Sequence, residues 1–361
     1  MNSIDLFSGA GGLLIAKKNL GCNILFANEI DDACAVTHHH NFKDVPLIHK
    51  DIKDLKIDEI KQYVGDKEVD LVVGGPPCQG FSMFGKRRFV NTQGYDPKQD
   101  PRNHLVYEYI RIVEETQPKF FFMENVKGFM SLDNGLFVQE VIKTFQNLGY
   151  NDIWCEVVCA ADYGVPQKRH RMFMIGNRLG INFEAPAKTH SDKDPNLLPY
   201  TTVGDAILDI AGLNEKDIPN HIALAHKPLV AERMSYVPEG GKLDLNILPE
   251  HLQNATRKDS KTGKVANYSH VYKRLDRNKP STTMVPGHNA FPIHPTLNRT
   301  LTPREAARIQ TFPDTLEFFG TRQQQCIQAG NAVPPKMAEP FFKKINDYIE
   351  EYIKGNIGDE S

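Results

Sequence analysis

Cys78 stands in "GGPPCQGFS" (residues 74–82), directly after the apolar run "VDLVV" (69–73), with Pro76 and Pro77 before it and Gly80 behind it. Buried cysteines usually act as small inert hydrophobes. A thiol in a rigid loop where a strand ends is instead placed to meet a ligand. It can serve as a nucleophile if its surroundings favour the thiolate, since a free thiol of pKa about 8.5 is little ionised at neutral pH. "FFFMENV" (120–126) offers a second group, Glu124, emerging from three phenylalanines and a methionine. Desolvation there is expected to raise its pKa and make it a proton donor. "PQKRHRMFMIG" (166–176) offers a third: Arg169 and Arg171 lie two apart, which on a strand predicts one shared face. A nucleophilic thiol, a protonatable carboxylate and paired guanidiniums at strand ends are hard to explain as packing.

A cofactor site is expected at the first turn. "DLFSGAGG" (5–12) puts Gly9, Gly11 and Gly12 after the first strand, where glycine permits positive φ and close backbone approach to a ligand. A dinucleotide fingerprint would continue to a third spaced glycine, but Leu13, Leu14 and Ile15 follow. The acid that a ribose needs at the end of strand two is present as Glu29, and Asp51 ends strand three. These features suit a nucleoside cofactor without pyrophosphate, S-adenosylmethionine better than NAD.

The elements that must position these groups read as strand and helix in alternation. Residues 3–7, 23–28, 46–50, 69–73, 119–125 and 171–177 read as strands, with helices over 104–115 and 135–149. That rhythm predicts a doubly wound α/β sheet with ligands at the carboxyl ends of its strands. From about 186 prolines recur and the alternation stops, which predicts a second, irregular domain. A helix is expected over 302–312, capped by Thr302 with Pro303 in its first turn, then a loop from 329 and a long terminal helix. The formal charge of −2 and 40% apolar content give a core but no global sign of a polyanionic partner. Six scattered cysteines, no signal peptide and no run of about 18 apolar residues predict a reduced protein with no membrane span. Cys155 and Cys159 read as core rather than metal ligands. His38, His39 and His40 read as a solvated helix end, and no metal site is expected.

Six segments in order carry a resemblance: "DLFSGAGG", "GGPPCQGFS", "ENVKGF", "DYGVPQKRHR", "RTLTPREAARIQTFPD" and "GNAVPP". The chain resembles the DNA (cytosine-5)-methyltransferases of the compact bacterial restriction-modification type. The resemblance implies a doubly wound, mostly parallel Rossmann-like domain over 1–185, completed by 322–361. It further implies a smaller irregular target-recognition domain over 186–300 and a hinge helix region at 301–321. Cys78 would attack C6 of cytosine, C5 would take the methyl group, and loss of the C5 proton would expel the thiolate. Glu124 would bind N3 and the exocyclic amine; Arg171, helped by Arg169, would hold the O2 side. S-adenosylmethionine, with S-adenosylhomocysteine as its product, would meet Phe7, Gly9, Gly11, Gly12, Glu29, Ile30, Asp51, Ile52, Pro77, Asn331 and Val333.

The implied substrate is double-stranded DNA with its target base flipped out of the stack. Residues 82–103, with Ser82, Lys86, Arg87 and Arg88, suit a lid over the DNA. Residues 257–308 hold eleven Lys or Arg against three acids, and Arg257, Lys258, Lys261 and Lys264 are expected to meet phosphate. The family further implies a cytoplasmic bacterial monomer, nucleoid-associated through DNA, whose cognate restriction endonuclease acts separately. The nearest rival is an RNA (tRNA) cytosine-5 methyltransferase, opposed by the long insert before "RTLTPRE" and by Gly80. A catalytically dead DNA-binding protein is opposed by the intact Cys78, Glu124 and Arg171.

Overall fold

The computed structural model describes residues 1–77, 104–244, 247–253, 272–284 and 291–358. Along the chain run β1 (Asn2–Leu6), α1 (Gly12–Asn19), β2 (Asn23–Glu29), α2 (Asp32–Asn41), β3 (Leu47–His49), α3 (Ile57–Val64) and β4 (Leu71–Gly74). Next come α4 (His104–Thr116), β5 (Phe120–Val126), α5 (Leu136–Asn147), β6 (Asp152–Cys159), β7 (Gln167–Lys168) and β8 (His170–Asn177). Then follow α6 (Val203–Ile207), α7 (Pro228–Ser235), α8 (Glu250–Gln253), β9 (Ser281–Thr282), α9 (Pro303–Ile309), α10 (Arg322–Asn331) and α11 (Pro335–Gly358). They divide into two compact units: residues 1–160, 170–188 and 333 onward form the first, and 161–169 with 189–332 form the second.

The first unit holds a seven-stranded sheet in the order β3-β2-β1-β4-β5-β8-β6. β1 to β5 run parallel, and β8 is antiparallel to both β5 and β6. Parallel strands covered on both faces read as unbroken apolar runs; accordingly Leu71, Val72, Val73 and Phe120 to Met123 are fully buried. Alternation sends neighbours to opposite faces. Phe121 stacks on Phe145 of α5 at 3.9 Å, while Phe122 meets Phe342 of α11 at 4.9 Å. α11 also lies along α1, where Asn19 Nδ2 donates to Glu339 Oε2 at 2.8 Å. The chain leaves β1 toward β2 on one side, and β4 joins β1 on the other. The strand order therefore reverses at β1/β4, and the crevice outside their carboxyl ends is where such sheets take ligands.

The second unit has little regular structure, so many of its carbonyls lack a ladder partner and need donors from elsewhere. Buried guanidiniums, each with five N–H groups, supply them. Arg274 donates to the carbonyls of Val237, His294, Leu297 and Met234 and to Asn298 Oδ1. Arg304, fully buried, donates to the carbonyls of Pro219, Pro313 and Leu316. Reciprocal capping boxes start α6 (Thr202 with Asp205), α9 (Thr302 with Glu305) and α10 (Thr321 with Gln324). Thr302 and Pro303 open α9 as expected, but the helix stops at Ile309, and Thr311 follows at φ 62°.

Two sequence readings change. The stretch 322–331 is a helix, although nothing in its apolar pattern predicted one, because glutamines take interior positions: Gln325 and Gln328 are buried beside Cys326 and Ala329. His38 is buried as well and no solvated end, its Nε2 lying 2.9 Å from Val45 O, while His39 and His40 are exposed.

Candidate active site and cofactor loop

The glycine loop opens with Phe7 at φ 55°, Gly9 at 53° and Gly11 at 86°, which folds the chain back from β1 into α1. Each glycine answers a different demand. A Cβ on Gly12 would lie 2.2 Å from Val333 O, and one on Gly11 would lie 2.6 Å from the Phe42 ring. Gly9 has no heavy atom within 4 Å of that position, so its backbone conformation, not crowding, favours glycine. Val333 is thus brought against the N-terminus of α1 within the first unit.

Glu29 ties this loop to the end of β2. Its Oε2 accepts from Gly9 N at 2.7 Å, and its Oε1 accepts from Ile30 N and Asp31 N, both at 2.8 Å. An ionised carboxylate has about four acceptor positions, so capacity remains for one hydroxyl. Ile30 follows with 60% of its surface exposed, unusual for an isoleucine that does not pack. Asn28 Nδ2 bonds the carbonyls of Ile48 and Lys50, fixing the end of β3 beside that of β2. Asp51 caps the next turn through Lys53 N at 3.0 Å. The Ile52 side chain is in the core, and its carbonyl accepts from Arg111 Nη2, which leaves its main-chain N–H as the group to offer a ligand. A carboxylate pair, an exposed apolar side chain and a glycine turn fit a nucleoside with an adjoining amino acid. No group of residues able to hold a metal ion occurs among the described residues.

Glu124 lies at the carboxyl end of β5. Its Oε1 is 2.8 Å from Arg171 Nε, and both side chains are largely buried. In the β5/β8 register Glu124 faces Phe173 and Arg171 faces Val126, so the two sit diagonally on one face. The carboxylate is therefore not isolated among phenylalanines, and the guanidinium opposes its desolvation. Burial pushes the Arg171 pKa down, and Glu124 pulls it back up. Gly75, after β4, makes room for this pair: a Cβ there would lie 2.9 Å from Glu124 Oε2. Asn125 Nδ2 donates to Pro76 O at 3.0 Å, fixing the start of the Pro76–Pro77 segment. Tyr109, from α4, was not singled out by sequence; its Oη lies 3.0 Å from both Val72 O and Phe122 O, so it links β4 to β5 just before their functional ends. The tyrosine in an apolar helix face was the available signal.

Cys78 is the residue after Pro77 and lies outside the described residues, as do Ser82, Lys86, Arg87, Arg88, the expected lid, Arg257, Lys258, Lys261 and Lys264. Arg169 and Arg171 reach different groups. The strand breaks at 169, and fully buried Arg169 donates within the second unit to Gly330 O at 3.0 Å and Asn331 O at 2.9 Å. Gln310 Nε2 also reaches the Ala329 carbonyl, so the end of α10 is held from two sides. Asn331 itself is exposed. The basic count over 257–308 overstates the surface charge. Arg274 and Arg304 are interior; Arg299 pairs with Glu305 at 2.6 Å, and Arg308 with Asp209 and Asp314.

Comparisons with known proteins identify the family. The family model for C-5 cytosine-specific DNA methylases matches residues 1–347. The chain is 40% identical over 347 residues to the type II methyltransferase M1.HphI of Haemophilus parahaemolyticus, covering 95% of this chain and 86% of that protein. It is 33% identical over 365 residues to M.FnuDI of Fusobacterium nucleatum, covering 99% and 98%. Among solved structures, a prophage-encoded DNA modification methyltransferase of Escherichia coli superposes with TM-score 0.72 at 28% identity, over 97% of this chain and 99% of that one. The S. pombe Dnmt2 methyltransferase, at 16% identity and TM-score 0.59, shares the fold.

Proposed function

The chain belongs to the C-5 cytosine-specific DNA methylase family, and from that premise we propose how its residues divide the work of methylating cytosine in duplex DNA. The observation that carries the reading is the Glu124–Arg171 pair, held against Gly75 and the Pro76–Pro77 segment that leads directly into Cys78. An unactivated C5 does not displace a methyl group from sulfonium, so a covalent adduct must come first. The Cys78 thiolate forms the bond to C6. Glu124, its orientation fixed by Arg171, hydrogen-bonds N3 and the exocyclic amine and meets the charge that builds there. Arg171 keeps its remaining donors for the O2 side. After C5 has been methylated, loss of its proton restores the double bond and expels the thiolate, so the enzyme returns unchanged.

S-adenosylmethionine, when bound, supplies the electrophilic methyl group. Glu29 is suited to a ribose hydroxyl, Ile30 to an apolar ring face, and Asp51 and the Ile52 N–H to the polar edge of that ring. Phe7, Gly9, Gly11, Gly12, Pro77, Asn331 and Val333 complete the set by family resemblance. Arg169 serves by holding the carbonyls of Gly330 and Asn331. Residues 82–103 close over DNA, Arg257, Lys258, Lys261 and Lys264 contact it, and the second unit selects the sequence. The type II names of the relatives support a role as the modification arm of a restriction-modification system; by family resemblance the protein acts as a monomer, apart from its endonuclease.

The test is incubation with a duplex containing 5-fluorocytosine and S-adenosylmethionine, comparing the native protein with Cys78→Ser on a denaturing gel. Fluorine blocks loss of the C5 substituent, so a retarded band for the native protein alone is expected. Equal bands, or none with DNA but one with fluoropyrimidine tRNA, would overturn the assignment.

A further inference from the structure

Residues 241–243 and 272–274 form a short antiparallel ribbon in the second unit. Arg274 N donates to Gly241 O and Leu243 N to Tyr272 O, both at 3.0 Å. Those bonds flank the pair Lys242 and Lys273, which stand directly opposite each other. Opposed residues of this non-hydrogen-bonded kind bring their side chains closest, and like charges there work against the pairing. Neighbouring cations are each neutralised: Arg277 by Glu239 at 2.8 Å, Lys279 by Asp276 at 2.7 Å and Lys168 by Asp192 at 2.9 Å. Lys242 and Lys273 form no ion pair among the described residues, and burial together with Lys242 holds the Lys273 pKa below its usual value. The Lys273 ammonium is half-buried and lies 3.5 Å from Thr282 Oγ1, on the strand paired with β7. Lys273 thus has a hydroxyl within reach and a second lysine opposite it, and neither lysine pairs with a carboxylate among the described residues.

We propose that Lys242, Lys273 and the Thr282 hydroxyl form a binding site for one backbone phosphate of the duplex DNA substrate. An anion bridging the two ammoniums removes the repulsion that the ribbon otherwise carries. The Thr282 hydroxyl adds a donor that turns a charge cluster into an oriented site. Contacts of this kind set the register of a protein on the duplex and carry no sequence information. The site rests on duplex DNA being the substrate.

The experiment is fluorescence anisotropy of the full chain on a labelled duplex across a salt series, for the native protein, the K242Q/K273Q double variant and K242E. The double variant should bind about tenfold more weakly near 0.1 M salt. Its plot of log affinity against log salt should be shallower by about 0.9, the contribution of one phosphate. The loss should be equal on methylatable and unrelated duplexes, with S-adenosylmethionine binding by calorimetry unchanged. K242E places a carboxylate opposite Lys273, so it should weaken DNA binding further while raising the melting temperature; a merely structural pair would give the opposite sign. A native salt slope in the double variant overturns the site, as does a loss confined to the methylatable sequence, which would mean base reading. Native protein that binds no duplex at all would instead count against the parent reading.

Discussion

Under the proposed mechanism two demands meet at Glu124: the carboxylate must be held still, and it must remain able to exchange a proton with a base. Arg171 answers the first through a 2.8 Å contact at a largely buried site. Glu124→Gln keeps the shape and an acceptor for Arg171 Nε but removes the proton chemistry. It is expected to lower kcat/KM by about 10²–10⁴ with S-adenosylmethionine affinity unchanged, as titration calorimetry would read. Arg171→Met does the reverse and leaves the carboxylate without its cation. Breaking a buried pair this way costs about 3–5 kcal/mol, so a large fall in the urea midpoint should accompany the lost activity. That Glu124 meets a charged partner at a strand end was legible in the sequence, because a carboxylate ending an aromatic strand is out of place as packing; Cys78, after Pro76 and Pro77, lies outside the described residues. Which arginine serves Glu124 was not legible. Period two put Arg169 and Arg171 on one face, but the strand breaks at 169 and Arg169 turns to the carbonyls of 330 and 331. A break of one residue leaves no mark in composition.

The elements show the same division between pattern and partner. The inner strands β2, β4 and β5 follow apolar runs and were legible, since burial on both faces favours that composition. α10 was hidden because its inward positions are glutamines that bond to the Gly320 and Phe319 carbonyls, and a periodicity count sees only polarity. α1 hides a partner of another kind. Lys17 is fully buried with Nζ 2.9 Å from Asp5 of β1. The pair clamps helix to strand on either side of the glycine loop. Lys17→Met alone should therefore destabilise the protein by about 3–5 kcal/mol, whereas the D5L/K17M pair should recover much of the loss in chemical denaturation. Within the loop, Gly12→Ala should be worse for folding than Gly9→Ala, because only Gly12 has a backbone carbonyl 2.2 Å from the added carbon. Gly9→Ala costs about 1–2 kcal/mol for its left-handed backbone. Its Cβ meets no heavy atom within 4 Å, so under the proposed cofactor site S-adenosylmethionine affinity by calorimetry should fall more than the melting temperature does.

At the scale of the whole molecule, the near-neutral charge conceals how ionisable groups are used inside it. Histidines are buried in both units: His38 in the first, and His221 and His294 in the second, with His226 half-buried. Burial pushes all four pKa values down, His294 to about 4 despite the nearby Glu305. In the unfolded chain each titrates near 6.5, so between that value and the folded one the unfolded state binds more protons. Stability must then rise with pH across this window and be lost as pH falls through it. For His294 alone the span corresponds to about 3 kcal/mol. Urea midpoints measured by circular dichroism should accordingly be flat above pH 7 and decline steadily from about 6.5 toward 4. His294→Gln removes the largest single share and should flatten that decline, whatever it does to the midpoint at neutral pH. A native protein whose midpoint holds constant down to pH 4.5 would mean that these imidazoles open to water and charge without unfolding.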